Sequence, residues 1–103
     1  MSVDVVFRAL GDPVRLEMVQ RLSREPRQRI TAVSLGLGIT RQGARRHLQV
    51  LADAHLVRLE PMGRDVWVQL ERQTLDGAKA FIAALELRWD SRLQALKELV
   101  EEG

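Results

Sequence analysis

The chain has 103 residues, 46% of them hydrophobic, and a formal net charge of +2. That length suits one compact domain spanning residues 1–103 with a real core, and leaves little room for a full catalytic apparatus. No run of about eighteen apolar residues and no charged-then-apolar leader is present, and there is no cysteine, so a membrane span, a secretion signal, a disulfide framework and a thiolate metal site are all unexpected. A cytoplasmic location is the expectation.

The charge is unevenly spread. Residues 1–73 hold twelve Arg against eight Asp and Glu, whereas residues 74–103 hold four basic and six acidic side chains. Every cation of the first segment is arginine, whose planar fork suits phosphates and base edges better than an ammonium does.

Val3 to Leu10 reads as a short first helix, with Val6 and Leu10, or Val3 and Phe7, on a common face, and Gly11 ends it. Asp12-Pro13 then reads as an N-cap followed by proline in the first helical turn. A second helix follows to about Arg24; its apolar positions Val14, Leu16, Met18, Val19 and Leu22 are too many for one exposed stripe, which predicts a central place in the bundle. Glu25, Pro26 and Arg27 break it. Thr31 is the expected cap of a short third helix, Ala32 to Leu37, with Gly36 a poor helix former inside it. Gly38-Ile39 is then a tight turn in which Gly38 takes the positive φ of a helix end.

Thr40 to Leu51, TRQGARRHLQVL, predicts a helix capped by the Thr40 hydroxyl. Ala44, Leu48 and Leu51 recur at i, i+4, i+7 as its core stripe. The other side carries Arg41, Gln42, Arg45, Arg46 and Gln49, donors suited to phosphates or to bidentate pairing with guanine and adenine. Two short helices joined by a brief turn form a helix-turn-helix, whose second helix enters the major groove.

After Leu51 the period changes. Leu56–Glu60 and Val66–Leu70 are β-prone runs separated by the turn-like Pro61-Met62-Gly63-Arg64-Asp65, which predicts a β-hairpin, or wing. Val57, Leu59, Val66, Val68 and Leu70 alternate onto one face, and Arg64 at the tip is placed to reach a minor groove or a phosphate. Residues 74–103 predict a long helix from Thr74 to Val100. Its apolar residues Leu75, Ala78, Ile82, Leu85, Trp89, Leu93, Leu96 and Val100 follow one another at three- and four-residue steps and exceed what so small a core can cover. The same helix of a second copy is the simplest partner, with Trp89 as a buried anchor. The expected dimer interface comprises Ile82, Leu85, Trp89, Leu93 and Leu96 with Val3, Val6 and Phe7 of the first helix.

The fold class is therefore mainly α with a small β-hairpin: a DNA-binding core and wing over residues 1–73 and a dimerisation helix over 74–103. The pieces ALGDPVRLEMVQRL, ITRQGARRHLQVLADAHLV and GRDVWVQL, at this separation, resemble the ArsR family of winged helix-turn-helix transcriptional repressors over nearly the whole chain. The ending Trp89, Arg92, Leu93 and Leu96 looks most like the branch that is generally not metal-responsive. Where metal-sensing members carry Cys-x-Cys, this chain has Ala32-Val33-Ser34-Leu35, and the terminal helix holds Asp76 and Asp90 without histidine. His47 falls where the family also has histidine and reads as a packing or hydrogen-bonding residue, while His55 takes a helix-end position usually given to glycine or asparagine. Arg45 and Gly43 depart from the family's commoner serine and alanine or proline, so the operator is not transferable.

The resemblance implies a homodimer that blocks polymerase at a pseudo-palindromic double-stranded operator, with no metal and no cofactor; a small-molecule effector is left open. The alternative is a winged-helix module that docks protein, which requires its groove-helix arginines to be paired with acids of the same chain. An enzyme is not expected: no catalytic triad, paired-carboxylate motif or glycine-rich phosphate loop is present.

Overall fold

A computed structural model describes residues 2–102. The order of elements is α1 (Val3–Leu10), α2 (Pro13–Arg24), β1 (Arg27–Arg29), α3 (Ile30–Ser34), α4 (Arg41–Asp53), β2 (Val57–Met62), β3 (Asp65–Leu70) and α5 (Arg72–Glu102). The three strands form one antiparallel sheet in the order β1-β3-β2. Mainly helical, with a small sheet and a long terminal helix, this is the architecture of a winged helix-turn-helix.

The first two helices begin and end where the sequence places them. Asp12 caps α2 by accepting from the backbone N–H groups of Val14 and Arg15, and Pro13 occupies a position with no N–H to satisfy. Met18, Val19 and Leu22 are buried, whereas Leu16 is 43% exposed. α2 is thus central along one face only, and Leu16 lies off that stripe.

The connection to the next helix differs from the expectation. Arg27, Gln28 and Arg29 form β1, paired to Gln69, Val68 and Trp67 of β3. A three-residue strand of Arg and Gln has no β-propensity to announce it; it is held by the β3 backbone and by a Leu70 N–H donated to the Pro26 carbonyl (2.8 Å). The strand runs straight into α3, which therefore begins at Ile30 with Arg29 as N-cap and ends at Ser34 rather than running from Ala32 to Leu37. Ile30 and Val33, buried at i, i+3, fix this start, and Thr31 lies within the helix instead of capping it. The turn to α4 occupies the six residues 35–40, with Gly36 and Gly38 at φ of 74° and 69° and Ile39 packed on the core.

α4 continues two residues past Leu51 and closes on a left-handed His55 (φ 58°). The N–H of Leu56 donates to the Leu51 carbonyl and that of His55 to the Ala52 carbonyl, the paired bonds of a Schellman end. In the hairpin, Met62 pairs with Asp65, so the loop is Gly63-Arg64 alone, and Gly63 at φ 63° supplies the positive dihedral such a two-residue turn requires. Pro61 sits in β2, an edge strand, where a missing N–H is tolerated. The alternation holds: Val57, Val68 and Leu70 are buried, and Leu59 and Val66 pack against the same core.

α5 starts two residues before Thr74. Its first turns are tied to the end of α4 by the Thr74 hydroxyl, which donates to the His55 carbonyl (2.5 Å), and Ala78 is buried. Phe81 meets Phe7 of α1 at a centroid distance of 6.1 Å. Past that contact every described residue of α5 is exposed, and the chain measures 69 × 25 × 22 Å because the helix projects from the core. No described helix is long and apolar enough to cross a membrane.

Candidate nucleic-acid interface

Thr40 adopts extended backbone and its Oγ1 accepts from the Gly43 N–H at 2.9 Å, one of the N–H groups that a helix start leaves without a partner. Ala44, Leu48 and Leu51 are at most 1% exposed. At 100° per residue, Gln42, Arg46 and Gln49 therefore lie on the side opposite the core, and Arg41 and Arg45 flank them; all five are exposed. Arg45 and Gln49 line a shallow crevice with Leu59, Pro61 and Val66 of the hairpin, so one edge of the polar stripe adjoins the wing. The Gln49 amide donates one N–H to Asp53 Oδ1 (2.8 Å), which leaves its second N–H and its carbonyl open.

The arginines of the strands are treated differently by the fold. Arg27 and Arg58 meet Glu60 at 3.4 and 3.1 Å, Arg58 also meets Glu71 at 3.2 Å, and Arg29 meets Asp65 at 3.8 Å. Among the described residues, no carboxylate comes within ion-pair reach of Arg41, Arg45, Arg46 or Arg64. Asp65, although next to Arg64 in sequence, turns to Arg29 and does not neutralise the hairpin tip.

His47 is half-buried between α4 and α2. Its Nδ1 lies 3.2 Å from the Arg15 guanidinium and 3.9 Å from Asp12 Oδ1. The Asp12 carboxyl is held below its ordinary value, chiefly by the backbone N–H of Arg15 and against the opposing effect of burial. Arg15 was not singled out by periodicity, since it sits beside the apolar stripe of α2 without belonging to it. Trp67 was likewise missed: it faces outward on β3 under the guanidinium groups of Arg27 and Arg29, 4.4 and 5.1 Å from the ring centroid. The strand β1 brings those arginines there, and nothing in the sequence foretells β1.

Among the described residues no three His, Asp or Glu side chains cluster so as to hold a metal ion. Of the residues expected at a dimer interface, Ile82, Leu85, Trp89, Leu93 and Leu96 are exposed, Phe7 is 37% exposed and Val3 half-buried, whereas Val6 is turned into the core of its own chain.

Residues 10–60 match the family model of a helix-turn-helix domain. An ArsR-like transcriptional regulator from Rhodococcus sp. RHA1 superposes with a TM-score of 0.77 at 28% identity, covering 94% of this chain and 91% of that one. The chain carries a helix-turn-helix domain and shares the fold of ArsR-like transcriptional regulators. A second ArsR family regulator has the same fold, with a TM-score of 0.79 at 24% identity over 85% of this chain and 90% of the other. A possible transcriptional regulator for arsenical resistance follows at 0.68 and 26% identity, over 76% of this chain and 80% of the other. No curated protein sequence matches. The domain and the fold are those of DNA-binding transcriptional regulators and not of an enzyme.

Proposed function

We propose that this chain is a homodimeric, sequence-specific repressor that binds a pseudo-palindromic double-stranded operator and does not respond to metals. The observation that carries the reading is the contrast among the arginines. Arg27, Arg29 and Arg58, the arginines of the strands, all meet a carboxylate, whereas Arg41, Arg45 and Arg46 stand together on the exposed side of α4 without one, as Arg24, Arg72, Arg88 and Arg92 do on α2 and α5. Cations left unpaired on one helix face are available to phosphates, and releasing their counterions drives association with DNA.

In this reading Thr40, Arg41, Gln42, Arg45, Arg46 and Gln49 enter one major groove, with Arg64 on the adjoining backbone or minor groove. The exposed stripe of α5 and Phe7 and Val3 of α1 join a second copy, Val6 backing them from within. Two-fold symmetry then sets the half-sites about one helical turn, roughly 34 Å, apart. The absence of cysteine from the chain removes the thiolate chemistry by which soft metals are held.

Selection of random duplex DNA by the purified protein, followed by titration of the recovered duplex over a range of salt, tests the proposal. The expected result is a palindromic sequence whose affinity falls steeply and log-linearly with salt. Arg45→Ala and Arg46→Ala each weaken binding, and the one that reads a base costs about 1–3 kcal/mol and relaxes specificity at a single position. No recovered sequence and no salt-dependent binding, or indifference to both substitutions, overturns it.

A further inference from the structure

One guanidinium joins three helices. Arg15, near the start of α2, donates from Nε to the carbonyl oxygen of Ala9 at the end of α1 (2.6 Å), and its NH1 lies 3.2 Å from Nδ1 of His47 on α4. A guanidinium offers only N–H donors, so Nδ1 must accept, and the ring is neutral with its proton on Nε2. The charged groups that face the ring are Arg15 and Asp12, both from α2. On α1, Asp4 and Arg8 pair with each other in solvent, and on α4 the neighbouring Arg45 and Arg46 are exposed.

A proton on Nδ1 undoes this arrangement. It removes the acceptor for Arg15 and sets an imidazolium against a guanidinium. The nearest relief is Asp12 Oδ1, 3.9 Å away, which already accepts the Val14 and Arg15 amides at 2.8 and 3.1 Å. The ring then either leaves Arg15 or competes for the cap of α2, and either way α4 shifts on the junction of α1 and α2. Histidine is the side-chain type that changes charge between about pH 5 and 8, and the chain has two, His47 and His55, and no cysteine.

We infer that Arg15 is a positioning residue for DNA binding: through neutral His47 it seats the recognition helix on the α1–α2 junction, and protonating His47 weakens the hold of α4 on DNA. This rests on the DNA-binding reading above. It also carries a sign of its own, because a histidine that merely gained charge near phosphates would bind DNA more tightly on acidification.

The test measures affinity of the full chain for the selected duplex between about pH 8 and about pH 5.5 at constant salt, in the wild type, His55→Gly, His47→Asn and Arg15→Gln, with thermal melts at each pH to follow folding. The Asn carbonyl can accept from Arg15 but cannot titrate, and glycine suits the left-handed backbone at position 55. The wild type and His55→Gly lose roughly fivefold or more of their affinity on acidification. His47→Asn stays level near the wild-type value at neutral pH, and Arg15→Gln binds more weakly at neutral pH without the further fall. Affinity that is level or rises on acidification in the wild type, or falls equally in His47→Asn, overturns the inference and leaves DNA binding standing. No binding at any pH overturns the DNA-binding reading and this inference with it.

Discussion

The guanidinium of Arg21 donates to the carbonyl oxygen of Leu35 at 2.7 Å. The same NH1 reaches the Val33 carbonyl at 3.1 Å and the Ala32 carbonyl at 3.4 Å, while Nε is held by Glu17 at 3.2 Å. A helix of five residues has more orphan carbonyls than internal bonds, and Arg21 of α2 serves those at the C-terminal end of α3. This fixes where the turn into α4 departs. Arg21→Met, which keeps the apolar stem, is expected to lower unfolding free energy by about 1–3 kcal/mol in urea titrations, with Arg21→Lys recovering part of it. Equal stability of all three proteins would mean that water serves these carbonyls as well.

His55 holds a left-handed conformation at the Schellman end of α4, with φ at 58°. For a side chain with a Cβ that conformation costs about 1–2 kcal/mol, which glycine avoids at the expense of extra chain entropy when unfolded. His55→Gly is therefore expected to raise the thermal midpoint modestly, by the equivalent of about 1 kcal/mol or less, and His55→Ala is not. A lower midpoint for the glycine variant would show that contacts of the imidazole outweigh the backbone term.

The elements that were legible in the sequence are those whose signals are local. Asp12-Pro13 announces α2 because capping and proline geometry act within one turn, and Ala44, Leu48 and Leu51 announce α4 because its core face repeats at the helical period. The hairpin showed through alternation, and the seven polar or charged positions expected at the groove, from Thr40 to Gln49 and at Arg64, are all exposed. Features set by distant partners were not legible. β1 exists because β3 offers a free edge; α3 starts early because Ile30 is drawn into a core assembled by other helices; Arg15, Arg21 and Trp67 acquire their roles from residues brought near only by the fold. Val6 shared a helix with Phe7 and Val3, and only the packing reveals that it faces inward.

Trp67 lies on the outer face of the sheet, paired through the backbone with Arg29 and stacked beneath Arg27 and Arg29. Those two side chains clamp a strand that has no apolar residue of its own. Replacing the ring removes the surface on which both guanidinium groups rest, each contact worth about 0.5–1 kcal/mol at an exposed site. Trp67→Leu is expected to destabilise the fold by about 1–2 kcal/mol and to speed amide hydrogen exchange in β1 more than in β2. Uniform exchange across the sheet would show that backbone pairing alone retains β1.

Asp12 titrates below its ordinary 3.8, first because it accepts the Arg15 N–H, with the Val14 N–H and the charges of Arg15 and His47 adding to this against a desolvation effect of opposite sign. A folded value below the unfolded one means that the ionised cap contributes stability in full above about pH 4 and loses it as the pH falls through the folded value. Asp12→Asn keeps an acceptor oxygen but cannot ionise. Its stability is expected to run closer to wild type at pH 3 than at pH 6, both approximate settings on either side of that range, as read from urea midpoints. A constant difference between the two proteins would remove Asp12 from the acid response.

α5 continues for about six turns past its contact with α1, and there Ile82, Leu85, Trp89, Leu93 and Leu96 stay between 43% and 61% exposed. An apolar stripe of that length on a lone helix is unfavourable in water, and burial against a symmetric copy stabilises it in proportion to the area covered. Leu87, 68% exposed, lies on the opposite side of the same helix and serves as the control. Leu93→Asp and Trp89→Ala are each expected to shift sedimentation from dimer toward monomer, and Leu87→Asp is not. Losing the second half-site also halves the phosphates contacted, so the salt slope of DNA binding for Leu93→Asp is expected to fall to about half that of the wild type. A wild-type protein that sediments as a monomer even at high concentration would instead assign this stripe to a different partner and leave each α4 to bind its groove alone.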